Sequence, residues 1–264
     1  MSLFRVDADL CLRDGICVAE CGLYLLVMRD GACPTPVAWA EEICVNCGHC
    51  VAVCPVGALT LRTMSPQQCE EVRPSLLPDA AQVAHLLRAR RSIRSFEERP
   101  VPQDELARLI EVATYAPSAS NSQPVEWLVV YDTALVRRLA PLILDWLRPH
   151  WAMSRFGRVF DFAYEHDLDL VCRDAPHMVI AHTPPGAVGQ GLIAVTYLEL
   201  AAFGAGLGAC WCGLADATIN GSPEIRQIVG LPEGRASAGV LLLGYPRYTY
   251  SRVPLRNPAR ISWR

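Results

Sequence analysis

From residue 79 onward, apolar positions recur with two different periods. In QDELARLIEVATY (103–115), Leu106, Leu109, Ile110 and Ala113 repeat at helical spacing on one face, and Pro102 just ahead is a start signal. DAAQVAHLLRARR (79–91) predicts a helix with Asp79 as its N-cap. TALVRRLAPLILDWL and the stretch 190–207 read as helical as well. WLVVY (127–131), HMVIAH (177–182) and AGVLLLG (238–244) are short apolar runs suited to interior strands. Helices interleaved with such runs predict an α+β or α/β layout, a central sheet covered by helices. Upstream, SPQQCEEVRPSLLPD (65–79) has three prolines and no sustained period, so it predicts a linker between a domain at 1–75 and a second at 76–264.

The most apolar long stretch, GLIAVTYLELAAFGAGLGACWCG (191–213), has the length of a membrane span. It contains Glu199 and five glycines and lacks basic flanks, which predicts a buried helix within a globular domain. GAGLGA (204–209) mimics a dinucleotide fingerprint but ends a helix instead of following a strand, so that function is set aside.

Composition narrows the classes. With 264 residues, 52% apolar and 19% charged, the chain has material for a sizeable core. A net charge of −3 without like-charge blocks gives no nucleic-acid signature. All 24 basic residues are arginine, which excludes a phosphate-loop lysine and a lysine Schiff base. MSLFRVDADL has no apolar signal core, so the expectation is a cytoplasmic protein with no membrane association.

Nine of the twelve cysteines lie in residues 1–75. A disulfide lattice belongs with a signal peptide and small size. Cys44, Cys47, Cys50 and Cys54 follow C-x2-C-x2-C-x3-C with Pro55 next, the run whose first three thiolates bind one iron–sulfur cube while the fourth reaches another. Zinc sites instead pair CxxC elements across a longer gap. CLRDGICVAEC (11–21) repeats the run with Asp14 in the second ligand place and Gly22 where proline would follow. The expectation is one cluster on Cys11, Asp14, Cys17 and Cys54 and a second on Cys44, Cys47, Cys50 and Cys21. This region resembles dicluster ferredoxins, including variants with aspartate at this place. Asp14 is open to three roles: ligand of the fourth iron, a harder donor than thiolate; neighbour of a labile iron, giving a three-iron cluster; or a solvent-facing loop residue. Cys33, Cys69, Cys172, Cys210 and Cys212 are left over, and buried small hydrophobe is their default role. Cys33 and Cys69 are the ones expected nearest a cluster.

In the second domain RARRSIRSF (88–96) gathers arginines and a hydroxyl at a helix end, a pattern suited to phosphate. APSASNSQPVEW (116–127) is a polar loop between a helix and a strand. RRSIRSF, APSASNSQPVEWLVV, LAAFGAGLGACWCG and GYP…VPLRNP, in this order and spacing, resemble the nitroreductase family over about residues 86–260. With the cysteine module in front, the chain looks like ferredoxin-fused nitroreductases. The resemblance implies an α+β protein: a dicluster ferredoxin-like module plus a nitroreductase-type α/β domain, forming an intertwined homodimer with FMN at the interface. It implies that Arg90, Arg91, Ser92, Arg94 and Arg256 hold the FMN phosphate and ribityl side. Pro117, Ser118, Asn121 and Gln123 would line the flavin, the first two from the partner subunit, and Gly213 and Leu214 would offer backbone N–H groups. Relatives with an acidic residue before the glycine differ from this chain at 213–214.

No side chain stands out as an acid or base, and His150, His166, His177 and His182 read as structural. The expected function is electron transfer from a ferredoxin or other low-potential donor through two clusters to FMN, and on to a flat electron-poor acceptor such as a nitroaromatic, quinone or enone. The rivals are a dehydrogenase running in reverse toward ferredoxin and an electron-transfer or redox-sensing protein without its own substrate.

Overall fold

The computed structural model describes residues 3–151 and 156–264, with the side chains at 150 and 151 outside it, so His150 lies outside the described side chains. The chain divides into two compact units, Met1–Leu77 with Ala119–Ser122, and Pro78–Ser118 with Gln123–Arg264.

The smaller unit is built from short pieces. Strand β1 (Phe4–Val6) is followed by α1 (Ile16–Ala19), β2 (Leu26–Val27), β3 (Thr35–Pro36), α2 (Ala40–Ile43), α3 (His49–Ala52) and β4 (Leu59–Leu61). β1 pairs antiparallel with β4, Phe4 opposite Leu61, and β2 pairs antiparallel with β3. Its core is small: Leu3, Phe4, Leu25, Leu26, Val51, Leu59 and Leu61 pack around the buried Cys17 and Cys50. The 65–79 segment carries two 3-10 turns, Pro66–Gln68 and Pro74–Leu76, with no buried residue.

The larger unit begins with α4 (Ala80–Ala89) and α5 (Gln103–Ala113). Asp79 caps α4 as the sequence predicts, its carboxylate accepting the Gln82 N–H at 2.8 Å while Gln82 returns the bond to the Asp79 N–H. Then come β5 (Glu126–Val130), α6 (Thr133–Trp151), α7 (Gly157–Glu165), β6 (His177–Thr183), α8 (Val188–Gly204), β7 (Gly208–Trp211), α9 (Gly213–Gly221), α10 (Pro223–Val229) and β8 (Ala236–Gly244). The four strands form one antiparallel sheet in the order β5-β6-β8-β7. Alternation along β6 and β8 sends Met178, Ile180, Val240 and Leu242 to a core shared with α6, α9 and α10. Val179, Ala181, Leu241 and Leu243 go to the opposite core, shared with α5 and α8.

Two details differ from the sequence expectation. The apolar stretch 191–213 is not one helix: α8 stops at Gly204, and Gly208–Trp211 forms the edge strand β7. WLVVY does not run in the sheet interior either, since β5 is the opposite edge. Pro185–Gly204 is long and apolar enough to cross a membrane by length and composition. In the fold Ala194, Val195, Leu198, Glu199 and Ala202 are buried, whereas Leu192, Ile193, Tyr197 and Phe203 are exposed along its other side.

Candidate functional site

The two cysteine loops of the smaller unit are copies of one another at an offset of 33 residues, Cys11 matching Cys44. The Cys11 N–H donates to Asp7 O and the Cys44 N–H to Ala40 O, each at 3.0 Å. Arg13 and Asn46 are both left-handed, at φ 56° and 55°, as are Gly15 and Gly48, at 74° and 76°. Gly15 and Gly48 open α1 and α3, which carry Cys17 and Cys50. At Gly48 a β-carbon would also lie 2.6 Å from Met64 Sδ, so glycine is required there twice over. Each copy ends alike: the Leu25 N–H points at Cys21 Sγ and the Ala58 N–H at Cys54 Sγ, both at 3.2 Å.

Electrostatic proximity sorts the eight candidate ligands into two sets. Cys17 sits beside Cys54, Asp14 and Cys11; Cys50 sits beside Cys47, Cys21 and Cys44. Burial is the main cause raising both thiols, Cys50 to about 12. Each set lines its own cavity, of about 360 Å³ around Cys21, Cys44, Cys47 and Cys50 and about 20 Å³ around Cys11, Asp14, Cys17 and Cys54. Among the described residues no three His, Cys, Asp or Glu side chains converge to hold a single metal ion. Thiolates spread about a cavity and met by backbone N–H···S bonds fit a cluster, which takes its ligands at separate corners.

In the larger unit the arginine segment leaves α4 and runs beside β7. Ser92 bridges Ala209 in parallel fashion, and the Ile93 N–H donates to Ala209 O at 2.9 Å. Arg90 turns inward, its Nη1 2.7 Å from Oε1 of Glu199, whose side chain is 8% exposed on α8. Arg91 folds back on the helix end, donating from Nε to Arg90 O and from Nη2 to Arg88 O. Arg94 lines a cavity of about 140 Å³ with Tyr248 and Tyr250. β7 leads directly into α9, so Gly213 and Leu214 stand in that helix's first turn, where backbone N–H groups lack helical partners. A β-carbon on Gly213 would meet nothing within 4 Å, leaving open space over those donors.

The loop before β5 is elsewhere. Pro117, Ser118 and Gln123 share a cavity of about 90 Å³ with Trp127 and Gln190, and the Gln123 N–H donates to Ser118 Oγ at 3.0 Å. Ala119–Ser122 groups with the smaller unit, where Asn121 Nδ2 donates to Asn46 O at 3.1 Å. One chain therefore brings Arg90, Ser92, Arg94, Gly213 and Leu214 to the β7 edge, and Pro117, Ser118 and Gln123 to the β5 edge. Three strand spacings, about 14 Å, separate these edges. Arg256 belongs to neither group; it lies on the exposed extended segment after β8.

Two of the histidines, His177 and His182, are used internally. His177 is fully buried and stacked on Tyr131; its Nε2 accepts the Val101 N–H at 2.8 Å and its Nδ1 faces Tyr131 O at 2.9 Å. His182 Nδ1 accepts from Arg235 Nε at 3.1 Å. Burial lowers both imidazoles, with the Arg235 charge adding to the effect at His182. His166 packs against Phe162. Two residues at the β7 edge were not singled out from the sequence as site residues. Glu199 was legible as a lone carboxylate in an apolar helix, which demands a buried partner. Arg173, whose charge reaches Cys210 beside that of Arg94 and reaches Cys212 as well, gave no such signal.

Residues 87–245 match the sequence profile of the Nitroreductase family. The chain belongs to that family. Residues 37–60 match the 4Fe-4S binding domain, so this nitroreductase-family oxidoreductase carries a ferredoxin-type segment at its N-terminal side. The NADH dehydrogenase of Thermus thermophilus is 30% identical over 197 residues, covering 66% of this chain and 92% of that protein. Among solved structures, a Desulfitobacterium hafniense nitroreductase with bound FMN shares the fold at a TM-score of 0.57 and 23% identity, over 68% of this chain and 96% of that one. A Bacteroides fragilis nitroreductase with bound FMN gives 0.54 at 24% identity, over 69% and 95%.

Proposed function

We propose that this nitroreductase-family protein is an iron–sulfur flavoprotein in which two 4Fe-4S clusters pass electrons to FMN and on to a small electron-poor acceptor. The observation that carries the proposal is the residue-by-residue duplication of the cysteine loops on a chain whose larger unit has the nitroreductase fold. In this proposal Cys44, Cys47, Cys50 and Cys21 hold one cluster, and Cys11, Cys17 and Cys54 hold three corners of the other.

When bound, FMN would link one-electron carriers to a two-electron acceptor. The chain's part is binding and orientation. Arg94, and Arg90 steadied by Glu199, would hold the phosphate through charge-assisted N–H bonds, with Arg256 as a further cation for it. The first-turn amides of α9 at Gly213 and Leu214 would donate to the flavin ring. Because the Pro117–Gln123 loop stands at the other sheet edge, we assign Pro117, Ser118 and Gln123 of a second copy to the ring's far side. That makes the working unit a homodimer, with the apolar stripe of Leu192, Ile193, Tyr197 and Phe203 on α8 as part of its contact.

A second proposal deserves weight because of a relative's name: an NADH dehydrogenase suggests hydride exchange with a nicotinamide. Anaerobic stopped-flow separates the two. Reduced ferredoxin or dithionite should reduce the flavin faster than NAD(P)H does, and Cys47→Ser should slow reduction by ferredoxin while FMN stays bound. NADPH reduction within the turnover time, with full activity in Cys47→Ser, would overturn the cluster-fed route. Rapid flavin reoxidation only by a protein partner, with no small acceptor effective, would favour a relay instead of a reductase.

A further inference from the structure

We propose that Cys33, not Asp14, supplies the fourth protein ligand of the first cluster, while Asp14 keeps its local bond to the first residue of the helix that follows it. This rests on the two-cluster proposal above and concerns one corner of one site. The duplicated loops match in backbone, Asp7–Leu25 against Ala40–Ala58, but their second ligand place holds Cys47 in one copy and Asp14 in the other. One oxygen of the Asp14 carboxylate, Oδ1, accepts the N–H of Ile16, the first residue of α1, at 3.2 Å. Such local side-chain-to-backbone bonds are what aspartate characteristically makes just before a helix.

Cys33 reaches the site from another direction. A turn closed by the Ala32 N–H on Arg29 O at 3.0 Å, with Gly31 left-handed at φ 71°, delivers Cys33 half-buried just before β3. Its neighbour Pro34 lines the same cavity as Cys11, Asp14, Cys17 and Cys54. The Cys33 thiol lies beside that of Cys11, near enough for the two to act on each other electrostatically. The first site is thus lined by three thiols, Cys11, Cys17 and Cys54, and the Asp14 carboxylate, with a fourth thiol, Cys33, beside Cys11. The second site reaches four with Cys44, Cys47, Cys50 and Cys21.

Iron–sulfur clusters are held by thiolate, and a hard carboxylate is the poorer donor when both are in reach. On binding, the Cys33 thiol gives up its proton and forms an iron–sulfur bond. The Asp14 carboxylate keeps its N–H bond, and no electron is transferred. Each cluster then has four cysteine ligands, the first drawing one from the β2–β3 hairpin.

Alkylation of the full-length wild-type protein tests this without relying on a variant that folds. The chain reconstituted anaerobically with iron and sulfide, and the same chain without metal, are treated with iodoacetamide and mapped by mass spectrometry. Exposed Cys69 should label in both, while Cys33 should label about tenfold more slowly in the loaded chain. Equal labelling of Cys33 in the two states overturns the proposal. Iron counting and EPR on variants give the second readout. Cys33→Ala should hold about seven irons and show a three-iron signal with the other cluster's signal unchanged, whereas Asp14→Asn should keep about eight. The reverse pattern also overturns it. If the wild-type chain itself holds only about four irons, or holds zinc, the two-cluster proposal fails and this one falls with it.

Discussion

Replacing Arg90 by alanine should destabilise the larger unit far more than the loss of one surface charge would. The Arg90–Glu199 pair joins the end of α4 to the middle of α8 at 2.7 Å, with the two side chains 22% and 8% exposed. At that distance and an effective dielectric near 20, Coulomb attraction is about 6 kcal/mol before any desolvation is subtracted. Much of that is offset by the cost of burying both charges, so the net value of the pair is small. The asymmetry lies in breaking it. Arg90→Ala strands a carboxylate in an apolar helix and should cost about 3–5 kcal/mol. Glu199→Ala leaves the guanidinium, which is the more exposed partner, and should cost about 1–3 kcal/mol. Arg90→Met combined with Glu199→Leu should return to within about 1 kcal/mol of wild type, or exceed it. The assay is urea unfolding of the larger unit, with the alanine variants arranged as a double-mutant cycle. An Arg90→Ala cost below about 1 kcal/mol, or alanine costs that simply add to within about 0.5 kcal/mol, would refute the reasoning.

Three further outcomes follow from the structure. Both His177 and His182 use a ring nitrogen as acceptor and have lowered pKa values, so the unfolded chain binds more protons than the folded one as pH falls through the ordinary histidine range near 6.5. The larger unit's thermal midpoint should therefore be at its full value above that range and drop below it, and His182→Asn should flatten the drop; a pH-independent midpoint down to about pH 5.5 would contradict this. Gly191→Ala should cost about 1–3 kcal/mol, measured by denaturant midpoint, because the new methyl would overlap Ala238 Cβ where α8 crosses β8. Arg94→Ala and Arg256→Ala should each weaken FMN retention on gel filtration without changing iron content; joint loss of flavin and iron would instead mean a folding defect.

The parts of this protein that were legible in its sequence are those where a local rule acts alone. Asp79 and Gln82 announce a cap because the bonds are made within one turn. HMVIAH is buried at every position because β6 is covered on both faces, and its apolar middle, MVIA, reads directly as a strand. β7 was hidden because GLGACW continues the apolar composition of α8, and only pairing with β8, far along the chain, makes it extended. The spacing of the cysteine runs was legible because ligands to one cluster come from consecutive turns. Cys33 was legible as one of two leftover thiols expected nearest a cluster, but which cluster it neighbours depends on the fold of the β2–β3 hairpin. The partnership of Arg90 with Glu199 spans 109 residues and could be foreseen only as a need for some partner.

The placement of the candidate flavin residues on opposite edges of one sheet has a genetic consequence. In the proposed dimer each pocket takes one wall from either polypeptide, so a lesion at Arg94 and a lesion at Ser118 damage different walls. Co-expressed in one cell, the two defective alleles would form mixed dimers in which one pocket collects both lesions and the other collects neither. With random pairing, about a quarter of all pockets would be whole. Two individually inactive alleles would then complement each other, whereas lesions at Arg94 and Leu214, which share a wall, would not.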